Sequence, residues 1–237
     1  MAESRAGNYD PRVRGDDLRQ AQAVRELWLM KIEVPQYAIQ DEVWVDPAKT
    51  ALVVVDMQND FVKRGGSLLV PDAEATVPAI GRLLKLARLN GIRVVYSQDT
   101  HRRGDPEWDI WPEHCREGSW GWEIVDEVAP GVEDTVLRKA RFDVFYGTPF
   151  DHLLRLWGVS TLVICGTVAN IGVLCTAASA ALRRYSVVLP RDAISALEPF
   201  DFEASMRQTV FVFAGRLTTA AGVRCSESVS GLPESGM

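Results

Sequence analysis

The 237-residue sequence has no surplus of basic charge, few cysteines and no long apolar run. Each absence excludes something. Its 26 Lys and Arg stand against 32 Asp and Glu, for a net charge of −6 and a pI of ≈ 5.2. No excess of cations is available for a phosphate backbone, so no nucleic-acid partner is expected. A membrane-crossing helix needs about 20 mostly apolar residues, and the chain has no such stretch, so no membrane partner is expected either. The opening MAESRAGNYD lacks the basic-then-apolar pattern of a secretory signal. The four cysteines, Cys115, Cys165, Cys175 and Cys225, are irregularly spaced. They read as free thiols in a reducing compartment, and a cytoplasmic location is the expectation.

What remains is ordinary for a globular protein: 47% hydrophobic and 24% charged residues, with length enough for one substantial core. Residues 1–46 read as an N-terminal arm. Asp16 or Asp17 could cap a helix to about Met30, with Leu18, Ala21, Val24, Leu27 and Trp28 on one stripe. That stripe must be buried somewhere. It packs either on its own domain or on a neighbouring subunit of a homo-oligomer, a dimer or tetramer. Residues 47–224 read as one domain, and residues 225–237 as a disordered tail.

Inside the domain, strands and helices alternate. Strands are expected at Ala51–Val55, Ile92–Ser97, Thr135–Leu137, Thr161–Cys165 and Ser186–Leu189, with a last short one starting near Thr218 and Thr219. Helices are expected at Val77–Asn90, stopped by Gly91, at Pro149–Trp157, from about Ile171, and at Phe200–Phe213. Repeated βα units imply an α/β fold in three layers, a mainly parallel sheet with helices on both faces. Ligands of such sheets bind at the carboxyl ends of the strands, so the polar residues just after each strand are the candidates.

The first strand ends at Asp56, in VVVDMQNDF. A carboxylate there is costly to bury unless paired; it is either a turn cap or a general acid/base. The second strand leads into Ser97-Gln-Asp99-Thr-His101, and WPEHC follows with His114. Asp99, His101 and His114 form a plausible ligand set for Zn²⁺, Fe²⁺ or Mn²⁺, with Glu107 a possible fourth; surface histidines are the plainer alternative. Trp108, Trp111, Trp120 and Trp122 cluster here and either wall a pocket for a flat small molecule or pack a long loop. Lys139 follows the third strand, where it is either a surface lysine or a partner that stabilises nearby anions. The strand Thr161–Cys165 breaks at Gly166 and leads into a helix whose N-terminal N–H groups suit a developing oxyanion.

Taken together, VDMQNDF, QDTH, WPEHC, LRK, YGTPF and CGTVAN-I-x-V resemble the isochorismatase-like hydrolase superfamily (the cysteine hydrolases), and within it the nicotinamidase-related branch. The resemblance runs from about Ala51 to Val223. It implies a sheet of about six parallel strands and hydrolysis of a C–N bond in a small amide. It implies an Asp-Lys-Cys triad, of which Asp56 and Lys139 match two members. It implies metal ligands at Asp99, His101 and His114, with Glu107 near a further one, and zinc as the first expectation. It implies a cis peptide at Thr167–Val168 and an oxyanion hole from the N–H groups of Val168 and Gly172. Phe61, Trp108 and Trp111 are expected to line the pocket.

The chain departs from the pattern at one position: the family nucleophile aligns with Gly172. Three explanations stay open. Cys175, three residues on, could substitute, although about 4.5 Å of helical rise separates the positions and attack needs an approach of about 3–3.5 Å. The enzyme could work without a thiol, as isochorismatases of the superfamily do, with Asp56 as the acid toward a vinyl ether. Or the site has lost amide hydrolysis and serves as a metabolite-binding or scaffold homologue.

Overall fold

The computed structural model describes residues 33–226. The expected helix from Asp16 or Asp17 to Met30 and nearly all of the expected tail lie outside them. Among the described residues no helix is long and apolar enough to cross a membrane.

Six strands form one parallel sheet: β2 (Thr50–Val55), β3 (Arg93–Asp99), β4 (Thr135–Lys139), β5 (Thr161–Gly166), β6 (Ser186–Pro190) and β7 (Arg216–Thr218), in the order β4-β3-β2-β5-β6-β7. Every residue of β2 is buried, because it lies at the centre between β3 and β5. Side chains alternate along each strand between two cores. Leu52, Val54, Val94 and Val163 face one core, shared with Ile80, Leu83, Leu84 and Ala87 of helix α2 (Ala73–Leu89). Val53, Val55, Val95 and Ile164 face the other. That second core holds Phe150 and Leu154 of α3 (Phe150–Leu156), Ala177 and Ala180 of α4 (Leu174–Leu182), and Met206 of α5 (Pro199–Phe213). Each buried Val, Leu, Ile, Phe or Met side chain among them contributes about 1.5–3 kcal/mol by leaving water. The result is the three-layer α/β fold.

A short helix, α1 (Asn59–Val62), follows β2. A separate two-stranded parallel pair joins β1 (Val43–Val45) to β8 (Val223–Cys225). These strands shift both expected boundaries. Val43–Val45 lies in the expected arm yet is bonded to the domain's end, and Cys225 is strand rather than tail. The expected final strand near Thr218 and Thr219 is β7, which ends at Thr218.

Several element boundaries also differ from the sequence pattern, β3 among them, which ends at Asp99 rather than Ser97. Helix α2 begins at Ala73, not Val77, and contains Pro78. Ala73 and Thr76 are buried, and Thr76 Oγ1 donates to the Ala73 carbonyl at 2.7 Å, so the turn before Pro78 is held by packing and a side-chain bond. Strand β4 runs two residues past Leu137, so Lys139 pairs in register with Asp99. The helix expected from Ile171 is a π-helical turn at Ala169–Val173, with the regular helix beginning only at Leu174.

Candidate active site and metal centre

The strand order reverses between β2 and β5, and a crevice opens at the carboxyl ends of the strands beside such a switch point. Asp56 is the first residue after β2, with φ +48°, a left-handed conformation that Asp tolerates better than most residues. Its Oδ1 accepts a hydrogen bond from the Ser97 hydroxyl at 2.7 Å, and its Oδ2 lies 2.7 Å from Lys139 Nζ. Beyond β5, the Thr167–Val168 peptide is cis. The Val168 N–H makes no hydrogen bond among the described residues. Asp56, Lys139, Val168 and Gly172 all line one cavity.

Burial pushes the Asp56 carboxyl above the usual carboxylate range, against the pull of Lys139. Burial works against the Lys139 charge too, but Asp56 and Asp99 outweigh it and hold the ammonium above its ordinary value. A buried ion pair adds little stability, since desolvation offsets attraction. Its value here is chemical: a carboxyl group and an ammonium group are locked in place.

Asp99 connects this pair to a second cluster. Its Oδ1 lies 3.4 Å from Lys139 Nζ, while its Oδ2 lies 2.9 Å from His101 Nε2 and 3.4 Å from His114 Nε2. Glu107 Oε1 lies 3.7 and 3.8 Å from the same two nitrogens. All four residues are buried. Ligands at about 2.1 Å from a tetrahedral zinc would be about 3.4 Å apart, so the spread of these contacts matches a metal-sized gap. The other ring nitrogens are anchored: His101 Nδ1 faces Asp105 Oδ2 at 3.0 Å, and His114 Nδ1 faces the Pro112 carbonyl at 2.7 Å. Such acceptors turn Nε2 toward a metal. Glu107 Oε1 faces the two histidines, while its Oε2 is buried without a hydrogen bond, 3.7 Å from Arg141 Nη1. The donor set fits a divalent metal.

Electrostatics agree with that placement. Burial would raise the Asp99 carboxyl, but Lys139 and the two histidines hold it well below the usual range. Burial opposes the charge on His101, yet Asp99 and Asp105 raise it to about 9. Burial, then Asp99, raises the Glu107 carboxyl.

A model of the Isochorismatase domain matches residues 50–221. The chain belongs to the isochorismatase family. It is 29% identical to a ureidoacrylate amidohydrolase of Azorhizobium caulinodans over 202 residues, 74% of this chain and 89% of that one. Among solved structures, an N-carbamoylsarcosine amidase from Thermoplasma acidophilum is 35% identical with a TM-score of 0.68, covering 77% of this chain and 99% of the other. A pyrazinamidase of Pyrococcus horikoshii, solved in complex with zinc, is 28% identical with a TM-score of 0.66, covering 75% and 98%. The relatives named here are amidases and amidohydrolases.

Within this family fold, Asp56, Lys139, Val168, Gly172, Asp99, Glu107, His114, Phe61 and Trp111 gather on one cavity. His101 stands directly behind it, fully buried. Two expected residues do not join them. Trp108 is outside the lining; its ring is 6.0 Å from that of His101 and its Nε1 donates to the His114 carbonyl at 3.2 Å, so it braces the cluster from behind. Cys175 is also outside the lining, half-buried on α4, and burial pushes its thiol up. Trp120 and Trp122 instead offer backbone carbonyls to Asn59, Gln58 and Gln98. The sequence reading missed Phe142, Leu197, Leu68 and Val70 in the walls; loop apolar residues carry no motif. It also missed Ser97 and Asp105. Asp105 stands four residues after His101, a spacing that could have raised the question.

Proposed function

We propose that the chain hydrolyses a C–N bond in a small, flat substrate, an amide or carbamoyl compound, using water and no protein thiol. One observation carries the reading. Asp56 Oδ2 is 2.7 Å from Lys139 Nζ, and a Cβ added to Gly172 would lie 3.2 Å from the same oxygen. An acid–base pair therefore meets the backbone of the helix entry, with no side chain between them. The amidase and amidohydrolase names of the relatives support the reaction class.

A carbonyl seated over Gly172 directs its oxygen toward the N–H groups of Val168 and Gly172, which hold the developing negative charge. Asp56 takes a proton from water as the water oxygen bonds to the carbonyl carbon. The C–N bond then breaks, and Asp56 returns the proton to the leaving nitrogen. Lys139 stays charged throughout and keeps Asp56 in place. A divalent metal held by Asp99, His101, Glu107 and His114 would supply a Lewis-acid anchor for a substrate heteroatom.

The upward push on the Asp56 carboxyl favours a second reading. A protonated Asp56 could donate to a vinyl ether such as isochorismate, again without a nucleophile. The test is an assay of ammonia release from primary amides and ureido compounds, with isochorismate hydrolysis measured in parallel. Amide turnover that Asp56→Asn abolishes and iodoacetamide leaves intact is the expected result. Loss of turnover on thiol alkylation would refute the thiol-free route. Hydrolysis of isochorismate alone would establish the second reading, and binding with no turnover of any compound would make the chain a non-catalytic binder.

A further inference from the structure

Strand β2 stops before its neighbour does. Its pairing with β3 ends at Val55 opposite Ser97, while β3 continues to Asp99. Asp56 turns the chain away, and the Gln58 N–H closes that turn by donating to the Asp56 carbonyl at 2.8 Å. The Gln58 side chain, fully buried, then takes the place of the missing strand. Its Oε1 accepts the Asp99 N–H at 2.7 Å, and its Nε2 donates to the Asp99 carbonyl at 2.8 Å. Nε2 also donates to the Trp122 carbonyl at 2.8 Å. We infer that Gln58 is a positioning residue, whose carboxamide replaces a strand partner and fixes Asp99 between Lys139 and the metal cluster. The inference goes beyond the proposed function and does not depend on which bond the cavity cleaves.

The N–H and C=O of a buried strand end both need partners. A carboxamide offers a donor and an acceptor together, as a peptide group does; a carboxylate or a thioether does not. The three bonds also fix which way round the amide lies, since the reverse would set Nε2 against an N–H and Oε1 against two carbonyls. The consequence reaches the site through Asp99. One of its oxygens lies 3.4 Å from Lys139 Nζ, and the other lies 2.9 and 3.4 Å from the two histidines. Asp56, two residues before Gln58, lies 2.7 Å from the same Nζ. One turn and one side chain therefore set the spacing of the two carboxylates that share the ammonium. They also set the direction of a candidate metal ligand.

The experiment compares neighbouring variants of the full chain. Gln58→Met keeps the length of the side chain and removes all three bonds. Its zinc affinity, read by competition with a chromophoric chelator, should fall about 10–100-fold, the range for loss of a group that orients a ligand. Asn59 is the control: it is buried too, but its Nδ2 donates to the Trp120 carbonyl at 2.9 Å and to no member of the cluster. Asn59→Ala should lower the melting temperature and leave zinc affinity unchanged. An unchanged affinity in Gln58→Met, or equal losses from both variants, overturns the inference. Should Gln58→Met fail to fold, Gln58→Asn keeps the carboxamide on a shorter stem and should also weaken zinc binding. A further arm needs no substitution. In the metal-free chain the Asp99 amide hydrogen should exchange as slowly as those in the middle of β2. Fast exchange would show that Gln58 does not hold it, and overturns the inference. A chain that takes up no zinc removes the metal reading, and the exchange rate then decides this inference alone. Neither readout uses turnover, so failure of the hydrolase reading leaves it standing.

Discussion

Gly172 is packed against Val55: a Cβ built on the glycine lies 2.9 Å from Val55 Cγ1, 3.2 Å from Asp56 Oδ2 and 3.3 Å from the Thr167 carbonyl oxygen. The space a side chain would use is occupied by the end of β2. Glycine at 172 and the residues opposite it are matched in shape.

Gly172→Cys should therefore overpack the site and destabilise the chain by about 1–3 kcal/mol. For a domain of this size each kcal/mol lowers the melting temperature by about 2–4 °C. Val55→Ala should relieve part of the loss, giving a favourable coupling in a double-mutant cycle. Purely additive losses would show that Val55 is not the obstacle. The new thiol would stand beside Asp56, so the relaxed double variant should gain amide turnover that iodoacetamide blocks. No gain on a broad amide panel, with the fold intact, counts against the amide reading.

Cys175→Ser should leave turnover unchanged, since this thiol is outside the cavity lining and burial favours its neutral form. Asp56→Asn should lower kcat/KM by about 10²–10⁴, the range for a lost general acid/base. Comparable losses from both variants would mean that Cys175 reaches the substrate after all.

Asp105 holds His101 Nδ1 at 3.0 Å and is itself held by Arg141. Asp105→Asn should weaken zinc binding by about 10–100-fold, as removal of such a supporting carboxylate does. Competition with a chromophoric chelator reads this directly. An unchanged affinity would show that His101 needs no orientation by Asp105.

The metal-free chain should lose stability as pH rises. The folded chain holds the His101 proton to about 9, above its ordinary 6.5. A raised value contributes stability that is complete below about 6.5 and is lost as pH climbs through about 9. Asp99 acts oppositely: its depressed carboxyl contributes above the usual carboxylate range, and that contribution fades only in strong acid. Zinc binds the unprotonated imidazole, so its stabilisation grows with pH. Melting temperatures from pH 6 to 9.5, with zinc and with chelator, should diverge; parallel curves would exclude the cluster as a zinc site.

Part of this site could be read before the fold was known. Asp56 stands at a strand end where an apolar run stops, and Asp99 and His101 follow closely on the next run, a placement visible in one dimension. Lys139 was visible as a polar residue after the third apolar run, but a surface lysine was as good a reading; pairing with β3 carries the strand to Lys139 itself and buries it. The start of α2 was hidden for a similar reason: Pro78 argues locally for a later start, and burial of Ala73 overrides it. Trp108 and Trp111 look alike in sequence, three residues apart. Only the path of the loop turns one into the cavity and the other behind His101.

By itself the sequence determined the alternation of strands and helices and the order of the polar residues at the strand ends. These follow from local chemistry: periodicity, charge and the placement of glycine. Tertiary structure decided what those residues do together. Pairing β3 with β4 set Lys139 between two carboxylates, the reversal at β2 and β5 brought Asp56 to Gly172, and the loop after β3 folded Glu107 and His114 over Asp99. Charges far apart in the chain acquire their shifted proton affinities only at such distances, because electrostatic coupling depends on separation and burial and not on position in the sequence.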